Sequence, residues 1–460
     1  MPVSSARGPD SDLCADPPGR LQAAPAGEGG ASDASQTEAA TILSTLIAFD
    51  SSNPGRSERP IAEWIAAKLG EAGLRPEVFE SRPGRASVVA RISGRDRSRP
   101  ALLVHGHLDV VPADPSEWST HPFSGEISAG CVWGRGAVDM KDMLAMLLAV
   151  VADWQRRGCR PDRDIVLAFT ADEEAGGSLG AGFLVDEHPD LFAGCTEAVG
   201  EVGGFSVTTD RGKRIYPIQN SEKGALWMRL ATRGTAGHGS LLNKDNAVTR
   251  MSSVLARLGS HPFPTVIDQD TRTLLRTVGQ LSDTEIDGAA LAREMESLRS
   301  FGRMLGATLQ NTVTPTSFRA GNKVNTVPSM AEATVDARFL PGQRDILLEV
   351  VDGILGTDVT REMLLEHDSV STPFEGATVQ AMTAALLAED PAAYPVPFML
   401  SGGTDAKAFS RLGIRCFGFS PLLLPPDHDF VSMFHGVNER VPVDSLAFGV
   451  RVLDRFLRLC

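Results

Sequence analysis

The stretch ALLVHGHLDVV, residues 101–111, is an almost continuous apolar run interrupted near its end by two histidines and an aspartate. Such a run is typical of a strand that is buried on both faces of a parallel sheet. Outward along the chain, a helix is predicted at 140–157, a strand at 164–172, a helix near 178–187 and a strand that ends at 198–201. Strands that alternate with helices predict an α/β fold with a mainly parallel sheet, which binds ligands at the carboxyl ends of its strands.

The pattern changes in the middle of the chain. Segments 224–234 and 332–340 alternate apolar and polar residues in period two, and helices are predicted at 246–258 and 344–354. This combination predicts an α+β insert. Helical spacing and a further apolar strand return after residue 369, which indicates that the first sheet resumes there. The expected units are a disordered tail at 1–36, α/β segments at 37–214 and 369–460, and the α+β insert at 215–368.

The composition is that of a long, acidic, globular chain. Among 460 residues, Lys and Arg number 44 against 58 Asp and Glu, which gives a formal net charge of -14. That balance lacks the basic surface that a phosphate backbone requires, so nucleic acid is not an expected partner. The six cysteines include no C-x-x-C pair and favour a reducing compartment, the cytoplasm. The longest apolar run, at 143–154, is too short to cross a bilayer, so no membrane association is expected.

His107 and Asp109 lie at the carboxyl end of the 101–111 strand and share one of its faces. A carboxylate two residues from a histidine is suited to fix the imidazole tautomer of a metal ligand. The same H-x-D pattern is common in proteins without a metal, so the pair alone leaves both interpretations open. His105, on the same face, is assigned to packing or to a supporting position behind the metal ligands.

A second group of charges follows the next predicted strand. The segment TADEEAGG, residues 170–177, places Asp172, Glu173 and Glu174 in succession. Carboxylates this close raise one another's pKa unless a cation, a proton or water compensates their charge. A solvated loop and a cation site are both compatible with this run.

The glycine-rich segment GRGAVDMKD, residues 134–142, opens a predicted helix and has two interpretations. A G-x-G at a helix start can hold a pyrophosphate, which would indicate a nucleotide-binding oxidoreductase. The third glycine of that motif is replaced by Asp139 here, and a carboxylate would repel a phosphate but attract a cation. The segment therefore favours a metal site over a nucleotide site.

Five side chains at predicted strand ends or loops together supply two imidazoles and three carboxylates. An open α/β sheet gathers such positions on one edge. Mixed nitrogen and oxygen donors suit zinc, cobalt or manganese, and this number of donors suits two ions joined by a bridging carboxylate and a water. The five are His107, Asp139, Glu174, Glu201 and His435.

Seven motifs, in this order, resemble those of the aminoacylase/carboxypeptidase G/succinyl-diaminopimelate desuccinylase family of di-metal amidohydrolases. They are GHLDVVP, EWSTHPFSGEISAGCVWGRGAVDMKD, TADEEAGG, GTAGHGS, NKVNTVP with DARFLPG, SGGTDAKAF and FHGVNERVPVD. The resemblance implies a zinc-peptidase-like catalytic domain at 37–214 and 369–460. It also implies a ferredoxin-like lid and dimerisation domain at 215–368, through which the chain would form a homodimer.

The resemblance also assigns roles to individual residues. Glu173 would be the general base that activates the bridging water, and Asp109 would orient the adjacent histidine. A cis peptide bond is expected between Asp139 and Met140. Glu197 is the alternative to Glu201 as the ligand from the strand that ends at 198–201. The metal ligands would be His107 and Glu201 for one ion, Glu174 and His435 for the other, and Asp139 as the bridge.

Within the inserted domain, His238 of GTAGHGS would reach across the dimer interface to the developing oxyanion. Asn325 and Arg338 would bind the free carboxylate of the substrate, beside a backbone loop that contains Gly403. Without the resemblance, His238 would be interpreted as a surface histidine and Arg338 as a solvent-facing side chain.

The expected activity is metal-dependent hydrolysis of an amide whose leaving amine belongs to an amino acid with a free carboxylate. Dipeptides and N-acyl amino acids are small molecules that fit this description. The alternative is a catalytically silent small-molecule-binding protein on the same scaffold, which the intact Glu173 and the full set of ligands disfavour. The segment 262–309 is expected to enlarge the lid and to alter the pocket, so the accepted acyl group and side chain stay open.

Overall fold

The computed structural model describes residues 31–210, 212–282, 295–296 and 298–460. Most of the expected tail, residues 1–30, lies outside these ranges. The first helix begins at Asp33, where the Ser32 side chain caps it by accepting a hydrogen bond from the Ser35 backbone N–H. The helix therefore starts ahead of the boundary expected at residue 37.

The helices and strands follow one another along the chain as the alternating pattern predicts. The helices are α1 (Asp33–Ala48), α2 (Arg59–Glu71), α3 (Lys141–Arg157), α4 (Ala181–Glu187), α5 (Ala247–Gly259), α6 (Gln269–Ser282), α7 (Arg299–Ala307), α8 (Arg344–Leu355), α9 (Ala377–Glu389), α10 (Ala406–Ser410) and α11 (Val443–Leu459). The strands are β1 (Glu77–Arg82), β2 (Arg85–Ile92), β3 (Ala101–His107), β4 (Ile127–Ser128), β5 (Cys131–Trp133), β6 (Ile165–Thr170), β7 (Cys195–Gly200), β8 (Val207–Thr208), β9 (Arg214–Glu222), β10 (Gly224–Arg233), β11 (Gly237–His238), β12 (Thr312–Ala320), β13 (Thr326–Val327), β14 (Met330–Phe339), β15 (Val359–His367), β16 (Val370–Ser371), β17 (Ala393–Leu400), β18 (Arg415–Gly418) and β19 (Arg440–Pro442).

The large sheet has the strand order β1-β2-β6-β3-β7-β18-β9-β16, and β8 and β17 also pair with β9. Its central neighbours β6, β3, β7 and β18 are parallel, and so are β9 and β17. Every residue of β3 and β6 is buried, which explains their continuous apolar sequences. The predicted α/β class with a mainly parallel sheet is confirmed.

Helices cover both faces of the large sheet. On one face α1, α3 and α11 pack together and share a core with the sheet. On the other face, side chains of α4 and α10 pack against β3, β6 and β7. Within the described residues, no helix is both long and apolar enough to cross a membrane.

A second sheet has the order β12-β14-β10-β15 and is antiparallel throughout. Helix α5 follows β10 and α8 follows β14, so the unit has the βαββαβ arrangement of a ferredoxin-like domain, as predicted. One face of this sheet packs against both helices through residues such as Leu226 and Met228. The side chains between them, including Trp227, face the opposite way, over the pocket described below.

The chain enters and leaves the second sheet at adjacent points of the large one. Strand β9 ends at Glu222 and β10 begins at Gly224, while β16 pairs with β9 so that Val370 lies opposite Glu222. Residues 215–222, expected at the start of the insert, lie in β9, which pairs with β17 and β18 of the large sheet.

The segment 262–309, expected as an enlargement of the lid, packs mainly elsewhere. Helices α6 and α7 lie against β17 of the large sheet. Leu274, Val278 and Phe301 are buried in the core of that sheet, because amphipathic helices bury their apolar faces on the nearest apolar surface. Residues 283–294 and 297 of this segment lie outside the described residues.

Candidate metal centre and substrate pocket

Three neighbouring parallel strands carry candidate ligands at their carboxyl ends. His107 is the last residue of β3, Glu173 and Glu174 form a short 3-10 turn after β6, and Glu201 follows β7. Because β6, β3 and β7 are adjacent and parallel, their ends meet at one edge of the sheet. Glu197, the alternative to Glu201, instead lies 3.3 Å from Arg163 Nη1.

The other two candidate ligands come from loops. Asp139 precedes α3, and the peptide bond between Asp139 and Met140 is cis, as expected from the resemblance. His435 follows the 3-10 turn Phe430–Met433 and has a positive φ of 57°. These two loops bring an aspartate and a histidine to the sheet edge.

Asp139 lies between the two histidines. Its Oδ1 is 3.0 Å from His107 Nε2, and its Oδ2 is 3.3 Å from His435 Nε2. Glu201 Oε2 lies 3.4 Å from His107 Nε2, and Glu174 Oε2 lies 3.0 Å from His435 Nε2. The structure therefore brings all five predicted ligands together, as two imidazole and carboxylate groups that share one aspartate.

Asp109 stabilises this arrangement from behind. Its carboxylate accepts hydrogen bonds from the backbone N–H groups of Glu173 (3.1 Å) and Glu174 (3.2 Å), and from Asn53 Nδ2 (3.0 Å). The nearest partner of His107 Nδ1 is the main-chain oxygen of Asp109 at 2.9 Å, whereas the carboxylate Oδ1 is 3.6 Å away. The side chain thus mainly positions the acidic turn, and the main chain orients the histidine.

The burial of so many charges shifts their pKa values. Burial raises the pKa of Glu201 to about 8 and, together with the charge of Glu201, raises the pKa of Glu173. Hydrogen bonds to Asp139 and Glu174 raise the pKa of His435 to about 10. Carboxylates crowded in a buried site are stable in their ionised form when cations compensate them.

The donor set fits divalent cations. Ligands at roughly 2.0–2.1 Å from a tetrahedral zinc ion lie about 3.3 Å from one another, which matches the separations around Asp139. Candidate donor atoms of His107, Asp139 and Glu174 all lie within 4.8 Å of one another, as do those of His107, Glu173 and Glu201. Glu174 Oε1 is buried and has no hydrogen-bond partner among the described residues.

A cavity of about 360 Å³ opens over these residues, between the two sheets. Arg338 and the loop from Gly402 to Thr404, which were expected to bind the substrate, line this cavity. Much of the remaining wall is apolar. The apolar wall, a name used below for these side chains, consists of Trp227, Met304, Leu365, Leu400, Val431 and Phe434.

Two predicted site residues are not brought to this cavity within one chain. His238 and Asn325 are absent from its described lining: His238 is in β11, and Asn325 directly precedes β13, the strand that pairs with β11. The backbone N–H of Gly239 donates to the Asn325 main-chain oxygen at 2.9 Å, and His238 Nδ1 lies 2.7 Å from Ser240 Oγ. Both predicted residues thus form a separate, exposed site on the inserted domain.

Sequence reasoning missed three charged residues of the pocket region. Asp405 is buried and accepts a hydrogen bond from Thr170 Oγ1 at 2.5 Å, and Lys407 lines the cavity. Glu222 is fully buried behind the loop that contains Gly403. Asp405 and Lys407 belong to the motif SGGTDAKAF, and their charges within this motif could have marked them as candidate site residues.

Comparisons with known proteins agree with this geometry. A sequence model described as peptidase family M20/M25/M40 matches residues 103–459. The chain is 29% identical over 421 residues to "N-fatty-acyl-amino acid synthase/hydrolase PM20D1" of Mus musculus, which covers 83% of this chain and 80% of that protein. It is 27% identical over 384 residues to "Probable carboxypeptidase S-like 2" of Dictyostelium discoideum, covering 78% of this chain and 71% of that protein.

A solved structure shares the fold. The M20 family metallo-carboxypeptidase Sso-CP2 from Sulfolobus solfataricus matches with a TM-score of 0.72 and 19% sequence identity. The match covers 92% of this chain and 99% of that one. At this identity the likeness concerns the arrangement of both sheets and their helices.

Proposed function

The chain belongs to peptidase family M20/M25/M40, and on this premise we propose that it hydrolyses the amide bond of N-acyl amino acids or dipeptides with a free carboxylate. The protein is a metal-dependent hydrolase. The observation that carries the proposal is the position of Asp139, with one oxygen 3.0 Å from His107 Nε2 and the other 3.3 Å from His435 Nε2. A carboxylate placed between two histidines is suited to bridge two cations.

Two divalent ions would be held by five residues of this chain. His107 and Glu201 would bind one ion, Glu174 and His435 the other, and Asp139 both. Bound ions would polarise the carbonyl of the substrate and lower the pKa of the attacking water. Imidazole and carboxylate donors favour zinc, with cobalt or manganese as alternatives.

Glu173 is proposed as the general base. Its turn is fixed by the hydrogen bond from its backbone N–H to Asp109, and its carboxylate lies within 4.8 Å of donor atoms of His107 and Glu201. From there it accepts a proton from the water that attacks the carbonyl carbon. It then delivers this proton to the nitrogen as the carbon–nitrogen bond breaks, so the products are an acid and an amine.

The cavity supports an N-acyl amino acid with an aliphatic acyl group as the substrate. The apolar wall would contact the acyl chain, and Arg338 with the Gly403 loop would bind the carboxylate. The relative named as an N-fatty-acyl-amino acid synthase/hydrolase supports this choice. A dipeptide is the second candidate, supported by the relative named as a carboxypeptidase.

A homodimer formed through the inserted domain is also proposed. His238 and Asn325 lie together away from the pocket, and the neighbouring Leu241, Leu242 and Val324 are exposed at 69%, 99% and 106%. Exposed aliphatic side chains beside two polar residues are suited to contact a second copy, whose pocket they would complete.

A cytoplasmic location stays a prediction. It is supported by the free state of the cysteines within the described residues, which are Cys131, Cys159, Cys195, Cys416 and Cys460.

The test is the release of amino acid from dipeptides and from N-acyl amino acids with short and long acyl chains, assayed with zinc, cobalt or manganese. We expect release that a chelator abolishes and that added metal restores. Glu173→Gln should lower kcat by roughly 10²–10⁴-fold while the metal content of the protein is retained.

Glu187→Gln is the matched control, because Glu187 is an exposed glutamate at the end of α4 and is not among the residues that line the cavity. It should hydrolyse at the rate of the unmodified protein. Normal turnover by Glu173→Gln would exclude the base assignment. Metal-loaded protein that cleaves none of these compounds would exclude the proposed substrate class.

A further inference from the structure

Basic side chains gather on one side of the cavity, where Arg338, His367 and Lys407 line it. The charge of Arg338 is already compensated. Its Nε lies 2.6 Å from Asp336 Oδ1, and its Nη2 lies 3.0 Å from Asp336 Oδ2, so a carboxylate occupies one edge of the guanidinium. A substrate carboxylate at Arg338 would therefore bind to a group that is neutral as a pair.

Lys407 is placed differently. It lies in the first turn of α10, and its side chain folds back over Gly403, where an added Cβ would lie 1.8 Å from Nζ. A side chain at 403 would therefore displace the ammonium from this position. Within the described part of the chain, Lys407 Nζ takes part in no hydrogen bond and no ion pair.

The acids around Lys407 act on it from a distance. Burial lowers the pKa of the ammonium, and the charges of Glu222 and Glu173 partly oppose that effect. Glu222 is occupied, because its Oε2 accepts hydrogen bonds from Thr404 Oγ1 at 3.0 Å and Gln219 Nε2 at 3.2 Å. A buried cation without a direct partner is costly until an anion binds to it.

We propose that Lys407 is the residue that selects substrates by their free carboxylate, and that Arg338 with Asp336 has only a supporting part. The inference rests on the proposed function and names a determinant of its specificity. The position of Lys407 beside Gly403, on the cavity wall shared with Glu173, lets a substrate contact both the ammonium and the hydrolytic centre. A neutral amide in place of the carboxylate cannot replace this contact, because it supplies no charge.

The experiment compares kcat and KM for an N-acyl amino acid and for the same compound with its carboxylate converted to an amide. The unmodified protein should prefer the acid. Lys407→Met should raise KM for the acid roughly ten- to a hundredfold and change its kcat little. The kcat and KM for the derivative without the carboxylate should also change little. Lys407→Arg should restore part of the preference, and Arg338→Met should reduce it less than Lys407→Met.

Lys213→Met serves as the control, because Lys213 is exposed and lies outside the cavity. Metal content and the thermal unfolding midpoint are measured for every variant, and Lys407→Gln replaces Lys407→Met if the latter does not fold. Equal losses for acid and amide, or a preference abolished by Arg338→Met alone, would overturn the inference. Absence of turnover in the unmodified protein would instead count against the proposed function.

Discussion

Asp109 is fully buried and positions two parts of the metal centre at once. Its carboxylate accepts the backbone N–H groups of Glu173 and Glu174, while its main-chain oxygen faces His107 Nδ1. One residue thus sets the relation between the proposed base, one proposed ligand of each ion and the end of β3. Partners of this kind control metal affinity although they do not touch the metal.

Asp109→Asn should lower metal affinity or kcat by roughly 10- to 100-fold. An asparagine has one oxygen to accept hydrogen bonds where the aspartate has two, so one buried N–H of the Glu173–Glu174 turn loses its partner. Metal titration and steady-state kinetics measure the effect. Asp114→Asn is the control, since Asp114 is exposed in the following loop, and equal behaviour of the two variants would contradict the positioning role.

The sequence predicts the ligands of the centre better than the substrate contacts. Three of the proposed ligands, His107, Glu174 and Glu201, follow the ends of parallel strands, and the order of those strands brings such positions together. The proposed role of Lys407 depends on how its side chain folds back over Gly403, and no sequence periodicity encodes this conformation. The pairing of Arg338 with Asp336 could be predicted from the sequence, because residues two apart on a strand share a face.

At the scale of the element, β9 and β17 are strands that the apolar pattern does not reveal. The last residues of β9 are Gln219, Asn220, Ser221 and Glu222, which are buried although polar. Gln219 Nε2 donates a hydrogen bond to Glu222 Oε2, and Asn220 Nδ2 donates one to the Thr372 main-chain oxygen. A pattern of hydrophobicity does not register such hydrogen bonds. The two prolines of β17, Pro395 and Pro397, argue against a central strand, and among the described residues β17 pairs only with β9.

One acid connects these elements. Asp390, just after α9, accepts hydrogen bonds from Arg214 Nε at 2.6 Å and from the Tyr216 hydroxyl at 2.9 Å. Burial alone would raise the pKa of Asp390, but these hydrogen bonds outweigh burial and hold that pKa below its ordinary value. Because the folded pKa is the lower one, the stabilisation is present above the unfolded pKa and is lost as the pH falls through the folded pKa.

Asp390→Asn should lower the thermal unfolding midpoint at pH 7, at a cost of about 2 kcal/mol, because it leaves Arg214 without its counter-charge. The difference from the unmodified protein should shrink below about pH 4, where the aspartate itself takes up a proton. Thermal unfolding followed by circular dichroism, from pH 7 down to below about pH 4, measures both effects.

Asp186→Asn is the comparison for this prediction. Asp186 forms an exposed ion pair with Arg411, in which both side chains are 53% accessible, and such pairs contribute little. A midpoint for Asp390→Asn that is unchanged at pH 7, or a loss independent of pH, would contradict the stabilising role assigned to the Asp390 carboxylate.

At the scale of the whole molecule, two predicted site residues lie apart from the pocket that they are expected to serve. His238 is in β11 and Asn325 directly precedes β13, close in sequence to the exposed Leu242 and Val324, whereas the proposed ligands are at the edge of the large sheet. A second copy of the chain that presents this pair to the first would remove the separation.

Leu242→Glu should convert the proposed dimer to a monomer and lower kcat, because a buried charge opposes the contact and the partner's His238 is lost from the pocket. Light scattering after size exclusion and steady-state kinetics measure the two effects. Ile127→Glu is the control, since Ile127 is 49% exposed in β4, outside the inserted domain.

A complementation experiment strengthens this prediction. His238→Ala and Glu173→Gln subunits, each nearly inactive, should regain activity when they are refolded together, because a mixed dimer has one pocket with both groups. Mixtures that stay inactive although mixed dimers form, or an active monomeric unmodified protein, would contradict action across subunits.

The chain enters and leaves the inserted sheet at adjacent points, and this arrangement affects which changes to the inserted domain the fold tolerates. Strands β9 and β16 are antiparallel neighbours that meet at Glu222 and Val370, so topologically they are the arms of a hairpin whose turn is residues 223–369. Each doubling of the length of a flexible loop adds only about 0.6 kcal/mol to the entropic cost of closing it. All five proposed ligands lie outside this turn, so a lineage can exchange or enlarge the cover of the pocket while its metal chemistry stays intact.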